Sequence, residues 1–396
     1  MLRLTLLAAA LTLACAPALA QVEVTPLAAP DAFSTPGRDT GLPQDLWRGT
    51  PVETARVVLP MLSTRPLSPA AAALARRVLA TGAPGPTGAA NDEMLAAARV
   101  NALISLGDVK AASRVLERAP GLDRSAELSR AAAESALLAG DVARACQLAG
   151  GLSTGRGDIY WLRLRALCQA EAGQGAQAQL TFDLAQAQAR DAVYGRLMAA
   201  KVSGTPAGAA SLRNGLDLVL SRGLNLDLAA AKPAPAVAAV LSGADPALPT
   251  YDTTAIDAQI GGLAASVVAG LPPPAGVSAL VAAASEGDPK TKVRLQSAAL
   301  LLAALANDLP AADRARISAF PIAEGKAPAG RNLALETAVD SRRTGEAALL
   351  ALWTCAEAGV GGPALADRVR MVRVLSRVGL VDEARLLALE GLAGLK

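Results

Sequence analysis

Histidine is absent from this 396-residue sequence. Its absence removes the commonest general base, the Ser-His-Asp and Cys-His nucleophile pairs and imidazole metal ligands together. Aromatic residues are only 2% of the chain, so the residues that favour strands are scarce, as are platforms for stacking sugars. Lysine is far outnumbered by arginine, and no S-x-x-K spacing offers a Ser–Lys pair. Beyond the first twenty residues, no stretch is long and apolar enough to span a bilayer without charge or proline breaking it. The net charge of +3, from 38 basic and 35 acidic residues, is close to balance and gives no electrostatic case for nucleic acid. No cofactor or metal is implied.

What is present is alanine, leucine and valine. Hydrophobic residues reach 52%, almost all of them aliphatic. Ala and Leu are the best helix formers, and Ala lets helices approach closely. An all-α chain is the expectation.

The start reads as a secretory signal peptide over residues 1–20. Met1-Leu2-Arg3 is basic, Leu4–Leu13 is apolar, and Ala18-Leu19-Ala20 is a small-x-small cleavage site before Gln21. A lipoprotein box at Cys15 wants Leu three residues earlier, where Thr12 stands. Cleavage after Ala20 takes Arg3 away and lowers the net charge to +2; the expected location is the periplasm. Cys146, Cys168 and Cys355 remain. Cys146 and Cys168 fall in consecutive helices and can pair as a disulfide in an oxidising compartment, leaving Cys355 free. The alternative is three small buried apolar residues.

Residues 21–42, punctuated by Pro26, Pro30, Pro36, Gly37 and Gly41, read as an extended linker. An N-terminal helical-repeat region is expected over 43–230, with helical signal from Pro43–Trp47 onward. Ser68-Pro69 is an N-cap and first-turn pair opening a helix over Ala70–Ala80. A Pro/Ala-rich boundary, with Pro233, Pro235, Pro246 and Pro249, covers 231–254. A C-terminal helical region follows over 255–396. Its helices are expected at Ala255–Ala269, Val277–Ser285, Pro289–Asn307 and up to Ile317.

A repeat begins at Asn91, read as a helix cap. Gly107-Asp108-Val109-Lys110-Ala111-Ala112 recurs thirty-three residues later as Gly140-Asp141-Val142-Ala143-Arg144-Ala145. It recurs again after thirty-three as Gly173-Gln174-Gly175-Ala176-Gln177-Ala178. Gly379-Leu380-Val381-Asp382-Glu383-Ala384 is a further copy, thirty-four after Gly345. Each unit is helix, Gly-containing turn, helix: the glycine admits a left-handed turn, and the Ala five residues on is small where the two helices cross.

This arrangement resembles the tetratricopeptide repeat (TPR), whose period is 34 and whose second helix carries that Ala. The matching pairs are Gly107/Ala112, Gly140/Ala145, Gly173/Ala178 and Gly379/Ala384, and Pro120 stands where a repeat ends. The first helices depart from the family. Arg99, Ala132 and Arg165 stand where it expects a large apolar residue eight positions before the turn glycine. The resemblance implies a TPR-like α-solenoid of stacked antiparallel helical hairpins. It also implies a concave face lined by first helices, here by Asn101, Glu127, Arg130, Glu134, Tyr160 and Arg163.

The other motifs yield to plainer readings. Gly151-Leu152-Ser153-Thr154-Gly155 matches G-x-S-x-G, but it joins two helices and has no histidine to serve it. Gly82–Gly88 is a loop whose prolines remove the amides a phosphate cradle needs. Gly261-Gly262 reads as a close helix contact. Asp92-Glu93 and Asp382-Glu383 read as acids at helix starts. Arg368, Arg370, Arg373 and Arg377 form a basic cluster, the last three on one helix face opposite Val369, Val372, Leu375 and Val378. It is either a dock for anionic lipid or an acidic partner, or a solvated surface.

The function expected is a non-catalytic scaffold binding a protein or peptide in the bacterial cell envelope. The alternatives are an envelope factor docking through the Arg cluster, and a hydrolase with a carboxylate site.

Overall fold

The computed structural model describes residues 33–395, except Asn91, Arg118, Pro120, Thr254, Ala255 and Asn307 and the side chains of Gln259 and Lys290. The leader, residues 21–32 of the expected linker, and the Asn91 and Pro120 expectations lie outside the described residues. Within them the chain is all-α, with nineteen α-helices and no named strand.

The first helices are α1 (Val52–Thr64), α2 (Pro69–Ala80), α3 (Glu93–Ser105), α4 (Val109–Leu116), α5 (Ala126–Leu138), α6 (Val142–Gly151), α7 (Ile159–Glu171) and α8 (Gly175–Gln188). Then come α9 (Ala192–Ser203), α10 (Gly215–Gly223), α11 (Pro235–Ser242), α12 (Ala258–Ala269), α13 (Pro274–Glu286) and α14 (Pro289–Leu305). The last are α15 (Ala311–Ser318), α16 (Ala329–Asp340), α17 (Thr344–Ala358), α18 (Leu365–Arg377) and α19 (Val381–Ala393). Residues 44–49 are turns rather than the expected helix; Leu46 and Trp47 within them are nonetheless buried.

The hairpin register is visible in the turns. Gly107, Gly140, Gly173 and Gly379 all have φ between +73° and +88°. At each, two backbone bonds close the end of the preceding helix: Gly107 N–H donates to Ile104 and Asp108 N–H to Leu103. Ala112, Ala145, Ala178 and Ala384 are fully buried where the paired helices meet. Gly345 does not belong to this set. The α16–α17 turn sits at Arg342, a non-glycine residue at φ +53°, with the same bond pair to Val339 and Ala338. The crossing residue there is the buried Ala347. Gly345 serves a different purpose: its N–H donates to Leu46 O at 2.9 Å, and a Cβ there would stand 2.6 Å from that oxygen.

The hairpins stack in an order unlike their order in the chain. The α3/α4, α5/α6 and α7/α8 pairs follow one another, and α10 returns to pack on α5. On the opposite side α1 packs on both α3 and α17, and α2 on α17 and α19. The C-terminal hairpins therefore continue the stack beyond the first helix. The stretch 231–254, expected as a boundary, contains α11, which packs on α3, α4 and α5. It does not divide the core. One hydrophobic cluster runs from Phe33 through α1–α4 to Leu392, and a smaller one joins α5–α10 around Trp161, Leu167 and Tyr194.

The acids expected at helix starts stand at the starts of α3 and α19, but not every expected cap is made. Asp92 caps α3, accepting from Leu95 N–H at 2.9 Å. Ser68 makes no side-chain cap on α2. There the Ala70 N–H donates to the Glu390 carboxylate of α19 at 2.9 Å. Leu380, not an acid, stands at the N-cap of α19, while Glu383 is buried and paired with Arg77 of α2 at 2.6 Å. Gly261 abuts the Thr253 carbonyl rather than another helix, and Gly262 faces open space.

Arg99 explains one departure from the apolar repeat pattern. Its guanidinium is fully buried and donates to Leu79 O at 2.8 Å, Thr81 O at 2.9 Å and Thr35 O at 3.3 Å. It also lies over the Phe33 ring at 5.2 Å. The segment from Phe33, expected to be a linker, is thereby fastened to α3 and the end of α2. Phe33 and Thr35 are buried there, and Phe33 meets Trp47 edge-on at 5.6 Å.

Two pairs of outcomes test these assignments. Arg342→Gly relieves a left-handed non-glycine residue and should stabilise the fold by about 1 kcal/mol, whereas Gly345→Ala should cost about 2 kcal/mol; urea unfolding of both reads the contrast. Arg99→Met strands three buried carbonyls and should cost about 3 kcal/mol, while Arg48→Met, an exposed site, should leave the urea midpoint within error.

Candidate functional site

Successive hairpins project their first helices to one side, so residues spaced three and four apart on each line a common surface. On α5 these are Glu127, Arg130 and Glu134, with Leu128, Ala131 and Leu137 turned into the core. On α7 they are Tyr160 and Arg163, and on α3 Asn101. All six expected residues line one groove of about 750 Å³. Its other walls are Ser63 and Thr64 at the end of α1, Arg213 to Leu216 at the start of α10, and Ala234–Ala236 entering α11. A second hollow of about 340 Å³ shares Ser63, Asn101 and Glu127 with it and continues it along Pro60, Met94, Leu95, Ala97 and Ala98. Met94 is 63% exposed there.

The groove has a fixed floor and a freer rim. Glu134 accepts from Gly215 N–H at 2.5 Å and from the Tyr160 hydroxyl at 3.4 Å. Burial raises its pKa above the ordinary carboxylate value, outweighing the Gly215 amide and the Arg130 charge. Burial and then the Glu134 charge push the Tyr160 phenol well above its usual range. Arg163 donates to Ala189 O at 3.0 Å, pairs with Asp191 at 3.5 Å and lies over the Tyr194 ring at 5.3 Å. Burial works to raise the Asp191 pKa, yet the Tyr194 amide, Arg213 and Arg163 together hold it below the usual value. Arg213 bridges Asp191 and Asp217.

Arg130 differs from these. It is exposed, lies over the Tyr160 ring at 5.0 Å, and has no carboxylate within ion-pair distance among the described residues. Arg130, Asn101, Glu127 and Ser105 are polar groups that the groove leaves for a ligand. Met94, Pro60, Arg213 and Asn214 were not foreseen from the repeat: the first two lie outside its face, and the last two come from a returning segment.

Of the Arg cluster of α18, Arg368 is turned inward, while Arg370, Arg373 and Arg377 stay at the surface. Arg368 is buried, pairs with Glu390 at 2.7 Å and donates to Leu387 O at 3.2 Å. It is an interior group because α19 packs over it. Arg370 lies 3.8 Å from both Glu336 and Asp367, Arg373 donates to Ala306 O, and Arg377 reaches Asp340 at 3.4 Å. Ser153 donates to Asp123 O at 2.9 Å and ties the α6–α7 turn to the preceding hairpin. Cys146 and Cys168 are joined as a disulfide between α6 and α7, with Cα atoms 5.6 Å apart, and Cys355 is buried. Among the described residues no helix is long and apolar enough to cross a membrane.

Comparison of the chain with protein-family models, with curated proteins and with solved structures finds no match.

Glu134 supplies a test of the floor. An acid whose folded pKa is raised costs stability once pH passes above its unfolded value, and the cost vanishes well below it. Glu134→Gln keeps an acceptor for Gly215. Its stability relative to the parent chain should rise as pH increases above about 4.5 and converge with it at lower pH; urea midpoints from pH 3.5 to 8 measure the difference.

Proposed function

We propose that the protein is an exported, TPR-like scaffold that holds an extended segment of a protein partner in the Asn101–Arg163 groove, in the bacterial cell envelope and without catalysis. One observation carries this reading. Six side chains on three successive first helices converge on one groove, and the groove continues into an apolar hollow. An elongated trough with polar groups along it and an apolar recess at one end suits a chain in extended form. An apolar side chain of the ligand would enter between Pro60 and Met94, and its backbone amides would meet Asn101 and Glu127. Arg130, already stacked on Tyr160, would meet a carboxylate or carbonyl of the ligand.

The TPR-like assignment draws support from the left-handed turn residues and from the buried Ala five positions after each. Export draws support from the disulfide, which fits an oxidising compartment, together with the basic and apolar start of the sequence.

The test is site-specific photo-crosslinking of the full chain in cells. A photoreactive residue at Asn101 should give a discrete adduct with one protein. The same residue at Leu184, exposed on α8, should give none. Arg130→Glu should reduce the Asn101 adduct at least tenfold with the helical circular dichroism unchanged. Equal adducts at both positions, or an Asn101 adduct indifferent to Arg130→Glu, would overturn the groove assignment.

A further inference from the structure

A second cavity lies behind α2, away from the groove. The segment 37–40, α2, α4, Glu383 of α19 and the loop at 245–248 line about 380 Å³. Five cations line it: Arg38, Arg76, Arg77, Lys110 and Arg114. Such crowding of one sign is costly unless each charge is answered. Three are: Arg38 pairs with Asp108, Arg77 with Glu383 at 2.6 Å, and Lys110 with Asp245 at 3.0 Å. The remaining acid of the lining, Asp39, is exposed and accepts from the Gly41 amide at 3.0 Å.

Among the described residues, Arg76 and Arg114 have no carboxylate within ion-pair distance. Arg76 reaches the carbonyls of Leu106 and Ala247, each at 3.4 Å, and Arg114 reaches that of Gly37 at 3.4 Å. These are long bonds for a guanidinium, at the limit of a hydrogen bond. Burial lowers the Arg76 pKa, Asp108 opposes that shift, and Arg38 adds to it. Arg114 and Arg38 also act on Asp245, after Lys110, so these cations surround one space. Ala73, Ala111, Pro246 and Leu248 add an apolar portion. Leu248 is 69% exposed at this lining, an apolar side chain with little to cover it.

We infer that this cavity binds a small dianionic oxyanion ligand with a short apolar body, a phosphate monoester or a dicarboxylate, held by Arg76 and Arg114. A planar guanidinium fork matches both oxyanions, and two uncommitted guanidinium groups match two charges. The bound anion would replace the long carbonyl contacts of both side chains, and the apolar body would rest against Leu248.

Calorimetric titration of the full chain at low ionic strength, with phenyl phosphate, inorganic phosphate and succinate as probes, tests this. Saturable binding of phenyl phosphate or succinate is expected, with Arg76→Met and Arg114→Met each weakening it at least tenfold. Leu248→Ser should weaken phenyl phosphate more than inorganic phosphate. The relative affinities of phenyl phosphate and succinate tell a phosphate ester from a dicarboxylate. Arg114 is exposed and holds one long bond, so its variant retains the fold, checked by circular dichroism, and keeps the test decisive. Absence of saturable binding by all three probes would overturn the proposal, and so would affinity unchanged in Arg114→Met.

Discussion

The structure turns on one carboxylate. Glu390 stands near the end of the chain on α19, and its two oxygens hold three distant segments together. One accepts from the buried Arg368 of α18 at 2.7 Å. The other accepts from Ala70 N–H at 2.9 Å and from the Tyr251 hydroxyl at 3.2 Å. Placed at the first turn of α2, the carboxylate also meets the positive end of that helix. It does for α2 what Ser68 does not, and in doing so it seats the C-terminal hairpins against the N-terminal ones. Arg77 to Glu383 repeats the connection about two turns away. Without this seam α1 and α2 would expose the face that now packs on α17 and α19.

The cation-lined cavity takes one wall from that seam, since Glu383 is part of its lining. The groove needs α1 held against α3, because Ser63 and Thr64 form one of its walls. The cation-lined cavity needs segment 37–40 pinned beside α2, and Arg99 does the pinning through Leu79, Thr81 and Thr35. A residue that breaks the apolar pattern of the repeat thus builds a wall of a different site. The exchange is reasonable: a buried guanidinium that satisfies several carbonyls organises irregular backbone that leucine would leave unbonded.

How much could be read from the sequence follows the range of the interaction. The hairpin turns were legible because Gly107, Gly140 and Gly173 announce a local backbone need, and the Ala five residues later follows from the same geometry. The groove residues were legible because a fixed period places equivalent positions on one face. Arg342 was not, since arginine in a left-handed turn leaves no mark in composition, and Gly345 nearby offered a false register. In the basic cluster of α18, Arg370, Arg373 and Arg377 keep the surface face that periodicity gives them, but periodicity does not say what a neighbour covers, and α19 buries Arg368. The Glu390 cap joins residues 320 positions apart, the cavity behind α2 gathers side chains from Gly37 to Glu383, and no local pattern encodes either.

That separation has a consequence in time. Ala70 opens α2, the second of the described helices, and Glu390 lies in α19, the last of them. At synthesis rates of roughly 5–20 residues per second, Ala70 waits about 16 to 64 s for its partner. For most of that interval the apolar faces of α1 and α2 have no C-terminal hairpin to cover them, and the α19 contacts of α2 come last. A nascent chain of this design stays incomplete until α19 emerges, and any truncation of α19 leaves it permanently at that stage.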